Sequence, residues 1–285
     1  MKYNLKQSDS KIRRKIYYGL IKQNFRYITS PLRVLPDFFV IGAVRSGTTS
    51  LFHYLNQHPN IAGASYDELG YFDDNYHLGI SWYKSLFPTI FTKRKIEKEH
   101  GKFLTFDDTP FYIYNPLVAK RIKNEFPNAK MILLLRNPID RAYSNYNLVE
   151  NSKKTFEEII NQEINEIENT TIKESKDEFH LVNNFYEKIL TRGFYAKQLE
   201  YWYKIFPKEK ILIQSSEEFS KNTHNVLNQI FSFLEIKQFT IKDIGKYNVR
   251  KFPPMKQKTR DDLIEFFRPY NESLYKLINK KFDWN

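Results

Sequence analysis

Two short aliphatic runs, each followed at once by a helix-opening segment, constrain the fold of this 285-residue chain more than any other feature. Phe38-Phe39-Val40-Ile41 comes just after Pro36 and ends at Gly42, the pattern of a buried strand running into a sharp turn. Behind it, the spacing of Leu51, Phe52 and Leu55 predicts a helix from Thr48, closed by His58, Pro59 and Asn60. The unit repeats: Lys130 to Leu135 reads as a second buried strand, and a helix opens at Pro138 carrying Ala142, Tyr143 and Tyr146. A third short strand, Ile211 to Ile213, lies between helices predicted over Phe194 to Phe206 and Glu217 to Leu234. Strands that lack polar alternation and are separated by helices imply an α/β fold, a central parallel sheet flanked by helices on both faces.

No composition break, proline-rich linker or internal repeat divides the chain, so a single domain is expected over 36–285, preceded by a basic arm at 1–35. Residues 151 to 185 are rich in Asn, Glu, Lys and Thr with sparse apolar positions, so 151–190 reads as a mobile insertion or lid. Tyr247 to Pro254 reads as a loop before a last helix from Lys256 to Asn279. The absence of cysteine excludes disulfides, a thiolate zinc site, an iron–sulfur cluster and a thiol nucleophile. Met131 to Leu135, the longest aliphatic stretch, is far below the roughly 18 residues needed to span a bilayer, and no apolar signal core stands at the N-terminus. A cytoplasmic protein is the expectation.

Charge needs its distribution to be read. The net +12 suggests a polyanion binder, but residues 1–33 hold nine Lys and Arg against one Asp, a local +8. The other 252 residues carry only +4 and no recognisable nucleic-acid module, so no nucleic acid is expected as partner. Within the arm, Ile12, Ile16, Leu20 and Ile21 sit at helical spacing: a solvated terminal helix packed on the domain, or one in weak contact with an anionic membrane surface.

The chemistry is concentrated in Ala43-Val44-Arg45-Ser46-Gly47-Thr48-Thr49-Ser50, between the first strand and its helix, where backbone N–H groups and the positive helix end converge. Gly47 lets the backbone come close to a phosphate, Thr48, Thr49 and Ser50 offer hydroxyl donors, and Arg45 adds a charged fork. Gly42 and Gly47 have the spacing of a nucleotide P-loop, so the loop is P-loop-like, but Thr48 stands where the loop lysine of an NTPase must be. The six histidines show no metal-ligand spacing, and no metal is expected. On the residues alone, a P-loop-type nucleotide kinase and a non-catalytic polyanion-binding protein stay open beside other nucleotide chemistry.

With these motifs in order, the chain over about residues 36 to 284 resembles the sulfotransferases that use 3'-phosphoadenosine 5'-phosphosulfate, in particular the heparan sulfate branch and its bacterial relatives. Pro36 to Leu51 is similar to the family's 5'-phosphosulfate loop, and Leu135 to Tyr146 is similar to its 3'-phosphate segment, about 90 residues on. Lys251 to Met255, Phe267 to Asn271 and Phe282-Asp283-Trp284 are similar to the branch's C-terminal region. The resemblance implies a sulfotransferase domain that moves a sulfuryl group to a hydroxyl, or an amine, of a saccharide-like or small-molecule acceptor. It implies that Arg45, where many members have lysine, stands beside the transferring group with Ser46, Gly47, Thr48, Thr49 and Ser50 around the donor. It implies that Arg136 and Ser144 hold the 3'-phosphate, that Arg250, Lys251 and Phe252 fold over the nucleotide, and that Glu68, within Asp67-Glu68-Leu69-Gly70, is the general base. Heparan enzymes often have a lysine in the segment matched by Phe106-Asp107-Asp108-Thr109-Pro110, where this chain has Asp108. The acceptor cleft is expected to be lined from 61–115 and 151–190, while nothing in the residues sets the oligomeric state.

Overall fold

A computed structural model describes residues 25–148, 154–169, 188–245, 247 and 252–284. Four parallel strands, β1 (Phe38–Gly42), β2 (Phe106–Asp108), β3 (Lys130–Leu135) and β4 (Ile211–Ser215), form one sheet in the order β2-β1-β3-β4. Among the described residues the helices around it are α1 (Thr48–Leu55), α2 (Gly79–Ser85), α3 (Ile90–His100), α4 (Pro116–Glu125), α5 (Pro138–Tyr146), α6 (Phe156–Asn169), α7 (Tyr195–Tyr203), α8 (Ser216–Lys221), α9 (Thr223–Phe233) and α10 (Gln257–Ile278).

The strands are continuous in hydrophobicity because both faces of the sheet are covered, and the period of two sends alternate residues into different cores. Phe39, Ile41, Met131, Leu133 and Leu135 pack with α4 and α7, where Trp202 is fully buried and donates its indole N–H to Ile113 O at 3.2 Å. Phe38, Val40, Ile132 and Leu134 pack on the opposite side with Leu51 and Leu55 of α1 and with Val226, Leu227 and Ile230 of α9. The fold is thus the α/β, P-loop-like parallel sheet with helices on both faces.

Three differences from the sequence expectation have physical reasons. Strand β2 is absent from the sequence reading because Phe106-Asp107-Asp108 is two-thirds carboxylate, yet all three residues are buried at the sheet edge. The helix predicted over Glu217 to Leu234 is two helices, α8 and α9, because Asn222 leaves helical geometry at φ −129° and ψ 55°. The part of 151–190 that forms α6 buries Phe156 and Ile160 against Ile139 and Ala142 of α5 and Leu263 and Phe267 of α10, a small third core. Residues 151–153 and 170–187 of the expected lid lie outside the described residues. Within the arm, Arg33 is buried and donates to Phe87 O at 2.7 Å, and Val34 N–H donates to Pro88 O, so this end of 1–35 is stitched to the domain. Among the described residues no helix is long and apolar enough to cross a membrane.

Candidate functional site

The loop between β1 and α1 opens at the C-terminal end of the sheet, where open α/β sheets bind ligands. Glycine is required at both ends of it. A Cβ on Gly42 would stand 2.7 Å from Ile113 Cγ2, so close packing excludes any side chain there. Gly47 has φ +93° and caps α1 in the left-handed region, while a Cβ there would meet nothing nearer than Phe219 at 3.7 Å; conformation rather than space selects glycine. The N-cap residue Gly47 offers no side chain to cap α1, and the first turn of that helix, Thr48, Thr49 and Ser50, lines the cleft. That is the arrangement an anion occupies.

The cleft in front of the loop has a volume of about 780 Å³, and its walls include Arg45, Gly47, Thr48, Thr49, Ser50, Glu68, Arg136, Ser144 and Phe252. Residues as far apart in the sequence as Arg45 and Phe252 therefore share one cavity. The two predicted phosphate segments are tied directly together: Arg45 Nε donates to Ser144 Oγ at 3.1 Å, and Arg136 Nη1 donates to Arg45 O at 3.0 Å. Arg136 sits just past the end of β3, and buried Ser144 lies two turns into α5, whose N-cap Asn137 accepts from Ile139 N–H at 2.9 Å.

Ser46 stands apart from this group. Its N–H donates to Ala43 O at 3.1 Å within the turn, its Oγ is buried without a hydrogen-bond partner, and it is not part of the cleft wall. Arg250 and Lys251 lie outside the described residues, leaving Phe252 as the described member of that segment on the cleft.

Arg45 and Glu68 both occupy the left-handed backbone region, at φ 70° and 56°. A non-glycine residue there costs of order 1–3 kcal/mol, a cost that surrounding structure must impose and that clusters at active sites. For Glu68 the imposed contact is visible: its N–H donates to Asp108 O at 2.6 Å, locking the loop onto the end of β2. Although Glu68 is exposed as a residue, the protein walling its carboxyl raises its pKa above the ordinary glutamate value, Asp67 adds to the rise and Arg45 opposes it. A base poised upward and facing a cation across a cleft has the character of a proton acceptor.

The β2 carboxylates divide into two environments. Asp107 accepts from Tyr83 Oη, Tyr112 Oη and Thr109 Oγ1 at 2.8 to 2.9 Å, and burial still holds its pKa at about 6. Asp108 is fully buried with neither carboxyl oxygen hydrogen-bonded, and burial together with Asp67, Asp107 and Glu68 pushes its pKa well up. A buried carboxyl with a raised pKa thus stands behind Glu68.

Sequence reasoning missed Glu217 and Lys221 on the cleft wall, and with them Tyr54 and Tyr247, whereas Phe111 falls in the range 61–115 expected to line the cleft and Tyr143 in the 3'-phosphate segment. Glu217 had a signal, since it follows the end of a parallel strand; the aromatics had none that separates them from core residues. Among the described residues no group of three or more His, Asp or Glu is arranged to hold a metal ion.

The family described as "Sulfotransferase domain" matches residues 35–271. The membrane-associated sulfotransferase kil1 of Dictyostelium discoideum is 32% identical over 326 aligned positions, covering 90% of this chain and 68% of that one. The human bifunctional heparan sulfate N-deacetylase/N-sulfotransferase 3 is 27% identical, and the match covers 86% of this chain but only 30% of the relative, so the chain spans under a third of that protein. A sulfotransferase from Alicyclobacillus acidocaldarius has the same fold, with a TM-score of 0.65 at 24% identity over 87% of this chain and 98% of its own.

Proposed function

Since this chain belongs to the sulfotransferase family, we propose that it transfers the sulfuryl group of 3'-phosphoadenosine 5'-phosphosulfate to a hydroxyl, or an amine, of a saccharide-like acceptor. The observation that carries the reading is the meeting, in one cleft, of two phosphate-type sites joined by the Arg45–Ser144 and Arg136–Arg45 hydrogen bonds, with Glu68 facing them. The uncapped first turn of α1 and the Thr48, Thr49 and Ser50 hydroxyls would hold the 5'-phosphosulfate, Arg136 and Ser144 the 3'-phosphate, and Phe252 would cover the nucleotide. Arg250 and Lys251 belong to the same proposed covering segment.

The chemistry is an in-line displacement at sulfur. The acceptor oxygen forms its bond to sulfur as the bond from sulfur to the bridging phosphate oxygen breaks, and the adenosine 3',5'-bisphosphate departs with the electron pair. Glu68 takes the acceptor proton, and Arg45 stabilises the charge that builds on the departing phosphate. Positioning and preorganised charge supply most of the rate, as they do in phosphoryl transfer. The saccharide acceptor is supported by the heparan sulfate named for the human relative. Residues 1–33, with their +8, fit weak contact with an anionic membrane surface, in keeping with the membrane association named for kil1.

Calorimetric titration with adenosine 3',5'-bisphosphate, ADP and ATP, each with and without magnesium, tests the donor reading. Metal-independent, micromolar binding that prefers the 3'-phosphate is expected. Binding of magnesium ATP alone would replace the proposal with a kinase.

A further inference from the structure

Glu217 presents a problem on the cleft wall. It is half-buried at the start of α8 and shares the cavity with Arg136 and Ser144, so an uncompensated carboxylate there would repel the 3'-phosphate that these two are proposed to bind. The structure compensates it with three donors. Its Oε1 accepts the Asn137 N–H at 2.8 Å, and its Oε2 accepts Ser215 Oγ–H at 2.7 Å and the Trp284 indole N–H at 3.1 Å.

The same carboxylate holds one end of the peptide unit that follows Arg136. That unit is gripped at both of its polar groups, its carbonyl by Tyr195 Oη–H at 2.9 Å and its N–H by Glu217. Trp284 packs against both grips: its ring lies 5.9 Å from that of Tyr195 and 4.7 Å from Phe282, with Tyr275 at 6.0 Å behind it. A residue far along the chain from the strand that ends just before Arg136 therefore closes the clamp on it.

We propose that Glu217, Trp284 and Tyr195 form a positioning clamp that sets Arg136 for the 3'-phosphate, with the indole N–H and its companion donors neutralising the carboxylate on the phosphate side. The clamp rests on the reading of Arg136 and Ser144 as the 3'-phosphate pair. It acts through Arg136 and touches no reacting atom. Its signature is selective: loosening it weakens a ligand that carries a 3'-phosphate and spares one that does not, whereas plain loss of packing weakens both.

Trp284→Phe keeps an aromatic ring and removes the N–H; Tyr195→Phe keeps the ring and removes the hydroxyl from the other grip. Each variant and the wild type are titrated with adenosine 3',5'-bisphosphate and with adenosine 5'-phosphate, and thermal unfolding is recorded alongside. The expected result is bisphosphate binding weakened by about tenfold, the effect of losing one hydrogen bond of the clamp, with 5'-phosphate binding changed by less than about twofold. Equal losses for both ligands, or no loss for either, overturn the clamp. If one variant does not fold, the same comparison on the other decides. A wild type with no preference for the bisphosphate instead overturns the assignment of Arg136 and Ser144, and the two failures are thereby separable.

Discussion

Glu68→Gln removes the proposed base while leaving its setting intact, because the loop is held by the backbone: Glu68 N–H still donates to Asp108 O, and the φ of 56° does not depend on the carboxyl. Gln matches Glu in shape and cannot take a proton, so turnover should fall by about 10²- to 10⁴-fold, the usual contribution of a positioned general base. Affinity for adenosine 3',5'-bisphosphate, measured by calorimetry, should stay within about twofold, since uniform binding and base catalysis are separable. The pH profile supplies an independent check. The base works as the carboxylate, so the rate falls on the acid side as pH drops through its pKa; burial and Asp67 raise that pKa, placing the acid limb above the ordinary glutamate value of 4.5. Asp67→Asn removes one of the two raising causes and should move the limb to lower pH with little change in the plateau. A Glu68→Gln protein with more than a tenth of wild-type turnover, or an acid limb unmoved by Asp67→Asn, would refute the assignment.

Other expectations concern the phosphate sites and the stability of the fold. Arg136→Ala should weaken adenosine 3',5'-bisphosphate binding by about 10- to 100-fold, the value of a charged hydrogen bond of about 1.5–3 kcal/mol. It should weaken adenosine 5'-phosphate less, through loss of the tie to Arg45 O, and equal losses in calorimetry would count against its role. Gly47→Ala meets no steric block but forces a side chain onto φ +93°, so denaturant unfolding should show a loss of about 1–2 kcal/mol. Ser46→Ala deletes a buried hydroxyl that has no partner and should leave stability unchanged or higher, by up to about 1 kcal/mol in urea unfolding, with nucleotide affinity retained. Asp107 binds its proton at about 6 in the folded chain against 3.8 ordinarily, so the folded state holds more protons between those values and stability falls as pH rises through them. The fall should amount to about 3 kcal/mol, present in wild type and absent from the pH dependence of Asp107→Asn measured by urea midpoints.

The residues that announce themselves in the sequence are those whose local pattern has one physical solution. Lys130 to Leu135 is apolar at nearly every position because both faces of β3 are covered, and the structure bounds that strand at the same residues. The β1–α1 loop is legible because glycine spacing, hydroxyls and a cation before a helix leave little else for it to be. Arg136 and Ser144 follow from position, behind a buried strand and on the next helix.

Contacts between distant segments carry no such local pattern. Nothing in Phe106-Asp107-Asp108 says strand, because its burial depends on Tyr83 and Tyr112 arriving with hydroxyls for Asp107. The break at Asn222 depends on where β4 ends and how α9 must turn back onto the sheet. Arg45 pairing with Ser144, Glu68 locked to Asp108, and Trp284 reaching Glu217 join residues 99, 40 and 67 positions apart. The sequence alone thus determined the layered α/β framework, the anion-binding loop and the kinds of side chain brought to it, since burial and backbone geometry restrict residue choice one position at a time. Only the tertiary structure decided which carboxyl is buried without a hydrogen-bond partner, which faces the cleft and which is masked by donors, because solvation and charge pairing are properties of the assembled neighbourhood rather than of any one residue.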